Sequence, residues 1–458
     1  MQTLPLITHP HAQSVLAWRD GQALSAAQFL ADVAYLRRQL PEGLHMLNAC
    51  SDRYRFTVGF AAALTAGKTC LLPSTHTPEM IRQLERFAPD TFCLTDDAYC
   101  SVALPQIHFP TATTDIAAND DADTFTVPEI DVEQTAAIVF TSGSTGTPVP
   151  HRKTWGALVH NVRAGAVLTG LSDGRRHAVV GTVPPQHMYG FESTIAVVLQ
   201  TGNAMVASNA FFPADICAAL ASVPQPRMLV STPVHLRAIA QSDAKVPKID
   251  HIVCATAPLA KRFATQLEAT LAAPLMEIYG STETGQIAIR RTADTQDWRL
   301  FCGVRLHQDE RGVWASGGHV EQPTLMSDVI TVVDQERFLL NGRIADMVNV
   351  AGKRSSLAYL NLQLNAIPGV ADGVFFMPDE ETTPGVTRLC AYVVAPTLTH
   401  AALMAALRDR IDFAFMPRPL VLVDALPRNA TGKLSRQALL TMISSTNKSG
   451  TEARVGLA

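Results

Sequence analysis

The sequence predicts an α/β protein with a large N-terminal domain of layered sheets and helices and a small C-terminal α+β domain. Three observations predict this arrangement. Helix and strand patterns alternate from residue 26 to residue 233, as they do in parallel sheets covered by helices. Short strand patterns with polar turns follow from Trp298 to Leu340, and mixed patterns resume from Arg343. The length of 458 residues is about three times that of a usual single domain.

The alternating segments of the first part are each bounded by turn residues. Predicted helices cover residues 26–40, 55–67, 78–87, 155–170, 192–202 and 213–222. Predicted strands cover residues 69–73, 91–96, 135–142, 177–184, 204–208 and 227–233, with a further apolar strand between the first two helices. The polar stretch 117–128 is predicted to be a surface loop. Gly67, Lys68 and Thr69 match the end of a P-loop, but the required first glycine is Ala62, so they predict a helix stop.

The second part of the chain predicts two smaller units. The segment from Trp298 to Leu340 indicates a small antiparallel sheet or β-barrel-like part attached to the α/β body. A domain boundary is predicted near Asn341 and Gly342, which gives an N-terminal domain of residues 1–341 and a mobile C-terminal domain of residues 342–443. Residues 444–458 are small and polar and predict a flexible tail.

Composition and charge exclude several classes of protein. Apolar residues make up 47% and charged residues 17% of the chain, which is a globular composition. The net charge of −4 and the lack of a Lys/Arg-rich run argue against a nucleic-acid partner. The longest apolar segment, residues 56–66, is too short to span a bilayer, and the N-terminus does not resemble a signal peptide. A cytoplasmic location is therefore expected. The eight cysteines form no CxxC pair and are predicted to be reduced.

A Ser/Thr/Gly-rich segment follows the β-branched strand that ends near Phe140. Its residues are Thr141, Ser142, Gly143, Ser144, Thr145 and Gly146. Two glycines let backbone amides approach a phosphate group, and four hydroxyls offer donors to its oxygens. The segment therefore predicts a phosphate-binding loop, and the alternative is an ordinary polar surface turn.

Three further segments carry polar residues that could act on a nucleotide. Tyr279 to Glu283 (YGSTE) follow an apolar strand, and the carboxyl ends of strands form the ligand crevice in open α/β sheets. The other two segments are RIADMVNVAGKR at residues 343–354 and PRNATGKLSR at residues 427–436, which contains Lys433. Each of the three alone is compatible with a charged surface loop.

Together with the phosphate loop, these segments resemble the adenylate-forming superfamily of acyl- and aryl-CoA synthetases, peptide-synthetase adenylation domains and firefly-type luciferases. The resemblance extends from about residue 30 to residue 440. It implies an ATP-dependent, AMP-forming carboxylic acid ligase that needs Mg²⁺. Such an enzyme makes an acyl- or aryl-adenylate with release of pyrophosphate and passes the acyl group to the thiol of CoA or of a phosphopantetheine carrier.

The resemblance also implies roles for residues at the nucleotide. The loop Thr141 to Gly146 would hold the β- and γ-phosphates, and Tyr279 would stack on adenine. Asp328 would bind the ribose hydroxyls with help from Arg343. Gly280 and Arg354 complete the predicted nucleotide-binding residues.

The resemblance assigns the chemical step to three residues. Lys433 would stabilise the substrate carboxylate and the oxygen that it shares with the α-phosphorus, Thr282 would contact the α-phosphate, and Glu283 would bind Mg²⁺. The physical need is clear, because a carboxylate that attacks a phosphate must overcome the repulsion between two anions. A lysine on a mobile domain can also be withdrawn once the adenylate has formed.

The acid pocket is predicted from a third set of residues. His187, in VPPQHMYGFES, matches a family position that separates the acid pocket from the thiol tunnel, although a lone histidine is more often a core residue. The remaining pocket candidates are Tyr189, Ser193, Ala255, Thr256 and Ala257.

The sequence departs from the family pattern at several positions. Many relatives have a lysine after the proline of the phosphate loop, whereas this chain has Val149, so either Lys153 substitutes or the contact is missing. At the domain hinge the family usually has an aspartate, whereas this chain has Ala345 there, followed by Asp346. The hinge is predicted at these two residues. Further along the chain, relatives often have a lysine at the position where this chain has Asn349.

A finer resemblance suggests the substrate. The stretches PVPH and AGKRSSL are similar to compact ligases of aryl-polyene-type pigment clusters, which activate hydroxybenzoate-like acids for transfer to an acyl carrier protein. A (hydroxy)benzoate-like acid and an acyl carrier protein partner are therefore expected. The alternatives are a fatty acyl-CoA or acyl-carrier ligase, and a catalytically silent adenylate-binding regulator.

Overall fold

The computed structural model describes residues 2–73, 75–110, 125–141, 148–343, 347–350, 353–377, 389–429 and 432–448. The strands are β1 (Thr3–Pro5), β2 (Val15–Arg19), β3 (Gln22–Ser25), β4 (His45–Asn48), β5 (Thr69–Leu72), β6 (Phe92–Thr95), β7 (Gln106–His108), β8 (Glu129–Asp131), β9 (Thr135–Thr141), β10 (Val149–Thr154), β11 (Ala178–Gly181), β12 (Ala204–Val206), β13 (Arg227–Ser231), β14 (His251–Cys254), β15 (Leu275–Ser281), β16 (Gly285–Arg290), β17 (Trp298–Leu300), β18 (Val304–Asp309), β19 (Gly312–Gly317), β20 (Val320–Leu325), β21 (Asp328–Val332), β22 (Arg337–Arg343), β23 (Met347–Val350), β24 (Lys353–Ser356), β25 (Asp372–Phe376), β26 (Cys390–Val394) and β27 (Leu420–Leu422).

The helices fall between these strands as the alternation predicts. They are α1 (Ala26–Arg37), α2 (Arg53–Thr65), α3 (Pro78–Phe87), α4 (Trp155–Thr169), α5 (Met188–Gly190), α6 (Val197–Thr201), α7 (Pro213–Ala221), α8 (Pro233–Gln241), α9 (Lys261–Leu271), α10 (Leu357–Asn365), α11 (His400–Arg408) and α12 (Arg436–Lys448). A π-helical turn, Phe191–Ala196, joins α5 to α6, and a 3₁₀ turn covers Phe413–Phe415. No described helix is both long and apolar enough to cross a membrane.

Two large sheets form the body of the molecule. The first has the strand order β10-β9-β5-β4-β6-β7, and the second has the order β21-β22-β17-β16-β15-β14-β13-β11-β12-β2-β3. Strands β2 and β11 to β15 pair in parallel, which is the arrangement predicted from the alternating pattern. Their carboxyl ends therefore lie along one edge of the second sheet, where ligands bind in open α/β sheets.

Helices separate and cover the two sheets. Helix α2 contacts β4 and β5 of the first sheet and β12 of the second, and α4 contacts β10 and β16. Apolar side chains of α2, α4 and the α5 to α6 segment form one continuous buried cluster with both sheets. Helix α3 covers the outer face of the first sheet, and α7, α8 and α9 cover the outer face of the second. This confirms the predicted fold class of layered sheets and helices.

The segment that was predicted to be a small antiparallel sheet or barrel contributes to two structures. Strands β18, β19 and β20 form a separate three-stranded antiparallel sheet. Strands β17, β21 and β22 instead extend the second large sheet through antiparallel pairing. The GKT segment is a helix stop, because Gly67 has a φ of +72° and Lys68 donates to the carbonyl oxygens of Glu42 and Gly43.

The C-terminal part has its own core. Strands β25, β26 and β27 form a sheet, and α10 and α11 pack with it around buried residues such as Leu360, Phe375 and Leu403. Strand β22 stays paired with β21 as far as Arg343, next to the domain boundary predicted near Asn341 and Gly342. Helix α12 continues to Lys448, so helical structure covers the start of the segment predicted to be a flexible tail.

Candidate active site

The carboxyl ends of β14 and β15 bring several predicted residues together. These two strands are parallel neighbours, with Cys254 opposite Glu277. Residues Ala255 to Ala257 follow β14 directly, and Tyr279 lies near the end of β15. Thr256 has a φ of +84°, a left-handed conformation that is uncommon for a residue other than glycine and is frequent at functional sites. The predicted acid-pocket and adenine positions are therefore adjacent.

Tyr279 and Asp328 form one contact at this edge. The Tyr279 hydroxyl donates to Asp328 Oδ2 at 2.5 Å, and the ring packs against Trp298 and Phe338 with centroid distances of 5.5 Å each. Asp328 begins β21 opposite Arg343 on β22. An aromatic ring beside a carboxylate suits a nucleoside, since the ring can stack on a base while the carboxylate accepts from hydroxyls. The structure thus brings together three residues that the sequence places far apart.

The turn between β15 and β16 presents Thr282 and Glu283. Gly280 is required before it, because a Cβ there would lie 2.2 Å from the carbonyl oxygen of Gly285. Ser281 and Thr284 close the turn, with each backbone N–H donating to the hydroxyl of the other residue at 3.3 Å. Burial alone would raise the pKa of the Glu283 carboxyl, but hydrogen bonds from Ser281 and the backbone and the nearby His151 and Lys153 lower it. An ionised, 43% exposed side chain of this kind can bind Mg²⁺.

Strand β10 was not predicted from the sequence, and it brings two side chains to this turn. It pairs with β9 as an antiparallel hairpin, with Val149 opposite Thr141. Ser142, Gly143, Ser144, Thr145 and Gly146, which fill the loop between them, lie outside the described residues. His151 Nε2 lies 2.9 Å from Thr141 Oγ1 and 3.8 Å from Glu283 Oε1. Burial lowers the pKa of His151, against the opposing effect of the Glu283 carboxylate.

The second side chain that β10 brings to this turn is Lys153. Its buried ammonium donates to the backbone carbonyl oxygen of Glu283 at 3.0 Å, so it holds the turn from the inside. Burial lowers the pKa of Lys153, and the carboxylates of Glu192, Glu321 and Glu283 oppose this shift. The two-residue spacing of His151 and Lys153 is the sequence signal, since alternate residues of a strand face the same side.

A small cavity lies beneath the strand ends. Its volume is about 20 Å³, enough for roughly one water molecule. Apolar residues of β13, β14 and β15 form one wall, Val230, Val253 and Ile278 among them, and α4 forms another. Its polar residues include Glu192, Ser193 and Gln286. Ile278 and Val253 immediately precede Tyr279 and Cys254, so the cavity lies directly below the predicted nucleotide and acid positions.

The polar end of this cavity is a buried network, of which only Ser193 was predicted from the sequence. Gln286 Nε2 donates to Ser193 Oγ at 2.8 Å, and Asn161 Nδ2 donates to Glu192 Oε1 at 3.0 Å. Gly285 fits this network only without a side chain, because a Cβ would lie 2.3 Å from Asn161 Nδ2. Burial raises the pKa of Glu192 to about 8, against the opposing effects of Lys153 and Gln286. The Glu192 carboxyl is therefore mostly protonated at neutral pH and can donate a hydrogen bond.

The raised pKa of Glu192 predicts a pH-dependent stability. Between its unfolded value of about 4.5 and its folded value of about 8, the unfolded chain releases this proton and the native protein keeps it. The contribution of Glu192 to the free energy of unfolding therefore falls as pH rises through this window and is constant above it. Glu192→Gln removes the titration, so its Tm relative to the wild type is expected to rise from about pH 5 to about pH 8. Thermal unfolding at both pH values tests this, and an unchanged Tm difference would contradict it.

His187 and Tyr189 lie at the start of the helical segment that lines the cavity. Burial lowers the pKa of His187 to about 4, and the charges of Lys433 and His76 act in the same direction. The Tyr189 hydroxyl donates to the carbonyl oxygens of Ser231 and Val253, each at 3.1 Å. Tyr189 therefore lies at the ends of β13 and β14, and His187 lies within electrostatic range of Lys433.

A turn in the C-terminal part holds Lys433 at the large domain. The Lys433 backbone N–H donates to Asn429 Oδ1, and the Asn429 N–H donates to the Lys433 carbonyl oxygen, both at 2.9 Å. Arg428 braces this turn through two hydrogen bonds to Asp372, of 2.6 and 2.8 Å. Gly432 packs against Val234 of α8, where a Cβ would lie 2.9 Å from Val234 Cγ2. The exposed lysine is thus presented to the strand-end edge.

The remaining predicted residues are only partly described. Arg354 is in β24, which pairs with β23 as a hairpin, and its backbone lies opposite Asn349. The predicted hinge residues Ala345 and Asp346 lie outside the described residues. One further cluster, Asp173, His177 and His251, has ligand atoms within 4.8 Å of one another. It lies near the opposite ends of the strands, and Arg175 already neutralises Asp173 at 2.7 Å, so it is not part of this site.

The strand ends of this α/β body carry the Tyr279–Asp328 pair and the Glu283 turn, and Lys433 of the second domain lies at the same edge. This combination is that of an adenylate-forming enzyme. Comparisons with known proteins agree with this class. A model of the AMP-binding enzyme family matches residues 49–337. The chain belongs to this family, which confirms the resemblance and the predicted enzyme class, an AMP-forming acid–thiol ligase.

Individual relatives point the same way. A 4-coumarate–CoA ligase from Rhodobacter capsulatus is 30% identical over 305 residues, covering 66% of this chain and 75% of that protein. A 4-coumarate–CoA ligase from Halorhodospira halophila is 29% identical over 314 residues, covering 66% and 76%. The solved structure of o-succinylbenzoate CoA synthetase from Bacillus subtilis with its acyl-adenylate intermediate has a TM-score of 0.79 at 16% identity and covers 100% of both chains. At that identity the similarity concerns the fold alone.

Proposed function

We propose that this enzyme activates an aromatic carboxylic acid with MgATP and transfers the acyl group to a phosphopantetheine thiol. The observation that carries the proposal is the convergence of Tyr279, Asp328, Glu283 and Lys433 on the strand-end edge. In the first step a carboxylate oxygen attacks the α-phosphorus and pyrophosphate leaves. In the second step the thiol sulfur attacks the acyl carbon, AMP leaves, and the thiol proton passes to solvent.

The residues of the chain fit ATP and Mg²⁺, the two groups that this reaction requires. Tyr279 and Asp328 would hold adenosine, with Arg343 and Arg354 as further candidates. Glu283 would bind Mg²⁺, which when bound neutralises charge on the departing pyrophosphate. Thr282 would contact the α-phosphate. Lys433, on the domain proposed to begin at residue 342 and to turn about residues 345–346, would stabilise the oxygen shared by the acid and the α-phosphorus.

An aromatic acid is supported by the relatives, since both 4-coumarate–CoA ligases are named for an aryl acid. The cavity of about 20 Å³ is too small for a ring, so the acid would lie above it, at the strand ends. His187, Tyr189 and the residues Ala255 to Ala257 would line the path from the adenylate to the ring.

The acid and the acceptor can be tested together. Pyrophosphate release is measured for the full chain with benzoates, hydroxybenzoates, cinnamates and fatty acids. CoA or a phosphopantetheinylated carrier protein is then supplied to the preformed adenylate. The proposal expects hydroxy-substituted aryl acids to give the highest kcat/KM. Preference for fatty acids would overturn the aromatic assignment, and no release with any acid would favour the silent adenylate-binding alternative.

A further inference from the structure

The β9–β10 hairpin, which carries the predicted phosphate loop, has Val149 where many relatives have a lysine. Val149, directly opposite Thr141 on the hairpin, is apolar and 44% exposed, so it cannot bind a phosphate oxygen. Lys153 is buried and donates to the backbone carbonyl oxygen of Glu283. The side of β10 that faces the turn nevertheless carries a polar side chain between these two positions, His151.

His151 occupies the space between the two proposed phosphate-binding elements. Its Nε2 atom is 2.9 Å from Thr141 Oγ1, at the start of the phosphate loop, and 3.8 Å from Glu283 Oε1 on the facing turn. Thr141 belongs to β9 of the first sheet, whereas Glu283 lies in the turn between β15 and β16 of the second sheet. A group bound between Thr141 and the Glu283 turn would therefore lie within reach of this nitrogen.

We propose that His151 binds the β- and γ-phosphates of MgATP, and the pyrophosphate that leaves, in place of the missing loop lysine. This inference rests on the proposed function. The imidazole forms and breaks no covalent bond. With hydrogen on Nε2 it donates to an anionic phosphate oxygen, and such charge-assisted bonds are stronger than neutral ones. Buried Lys153, two residues along the strand, fixes the turn that carries Glu283 on the other side.

A purely structural role for His151 makes a different prediction. If its contact with Thr141 served only to hold the hairpin, its loss would disturb the whole nucleotide site and weaken ATP and AMP alike. A phosphate-binding role concerns only ligands that carry β- and γ-phosphates. AMP, which lacks them, is therefore the discriminating ligand.

The experiment measures equilibrium binding of MgATP, AMP and pyrophosphate to the full chain without acid substrate. His151→Ala is expected to weaken MgATP and pyrophosphate by about tenfold to a hundredfold, as for a lost hydrogen bond to a charged group, and to leave AMP within about twofold. His151→Gln keeps an N–H donor and should lose less. Val149→Lys added to His151→Ala should restore part of the MgATP affinity.

The matched control is Arg152→Ala. Arg152 faces the other side of β10 and bonds to Thr135 Oγ1 and the Glu133 carbonyl oxygen, so MgATP affinity should not change. Equal weakening of MgATP and AMP by both His151 variants, or no weakening of either, would overturn the inference while leaving the proposed function intact. A wild-type chain that binds AMP but not MgATP would overturn both.

Discussion

Lys433→Ala is expected to lower the rate of adenylate formation by about a hundredfold to a thousandfold, the usual loss when a preorganised donor at a developing charge is removed. The lysine is held at the strand-end edge by the Asn429 turn, beside His187. Without its ammonium, the acid and the α-phosphate would meet as two uncompensated anions. Acyl transfer from a supplied adenylate should change far less, because that step needs no bridge between two anions.

The measurement is a pre-steady-state rate of adenylate formation, followed by a separate rate of thioester formation from synthetic adenylate. Lys245→Ala, which removes an exposed lysine of the large domain, is the control and should leave both rates unchanged. Equal losses in the two steps would contradict a role confined to adenylation. Undiminished adenylation by Lys433→Ala would remove this residue from the mechanism.

Arg53→Met is expected to lower the Tm by several degrees, corresponding to about 3 kcal/mol of lost stability. Arg53 is fully buried, and its guanidinium donates to Thr194 Oγ1 at 2.6 Å and to the carbonyl oxygens of Gly181 and Val183 at 3.0 and 3.1 Å. Burial lowers its pKa to about 10, so it remains charged at neutral pH. Its removal deletes these three buried hydrogen bonds.

The loss should also reach the acid pocket. Thr194 lies in the π-helical turn that follows His187 and Tyr189, so Arg53 ties this segment to the end of β11. The KM for the acid should therefore rise more than the KM for ATP. Arg82→Ala is the matched control, because Arg82 forms an exposed pair with Glu79 and such pairs contribute little. A Tm shift no larger than that of Arg82→Ala would contradict the account.

The order of elements could be predicted from the sequence because it depends on local periodicity. Helices α1, α2, α3, α4 and α7 and most parallel strands follow directly from the spacing of apolar residues, whereas strands β2 and β14 and helices α8 and α9 were not predicted. Strand β10 was missed, because VPHRKT has little β-branched or apolar character and is fixed instead by pairing with β9. The start of the helical segment at Met188 was also missed, because the sequence pattern predicted a helix only from Glu192.

The parts of the site that could be predicted are those whose residues lie in distinctive segments. Tyr279, Glu283, Asp328 and Lys433 belong to such segments. Glu192 does not, since a buried ionisable residue has no sequence pattern of its own and is recognised only from its packing. Lys153 shares a two-residue spacing with His151, but that spacing does not show that its side chain is buried. The role of His151 likewise depends on a contact between two sheets, which periodicity cannot reveal.

Acid-dependent exchange of labelled pyrophosphate into ATP tests directly whether the chain makes an adenylate. We expect exchange that requires both an aryl acid and Mg²⁺, with AMP as the nucleotide product after thiol transfer. Formation of ADP and phosphate, or exchange that does not depend on the acid, would contradict this expectation.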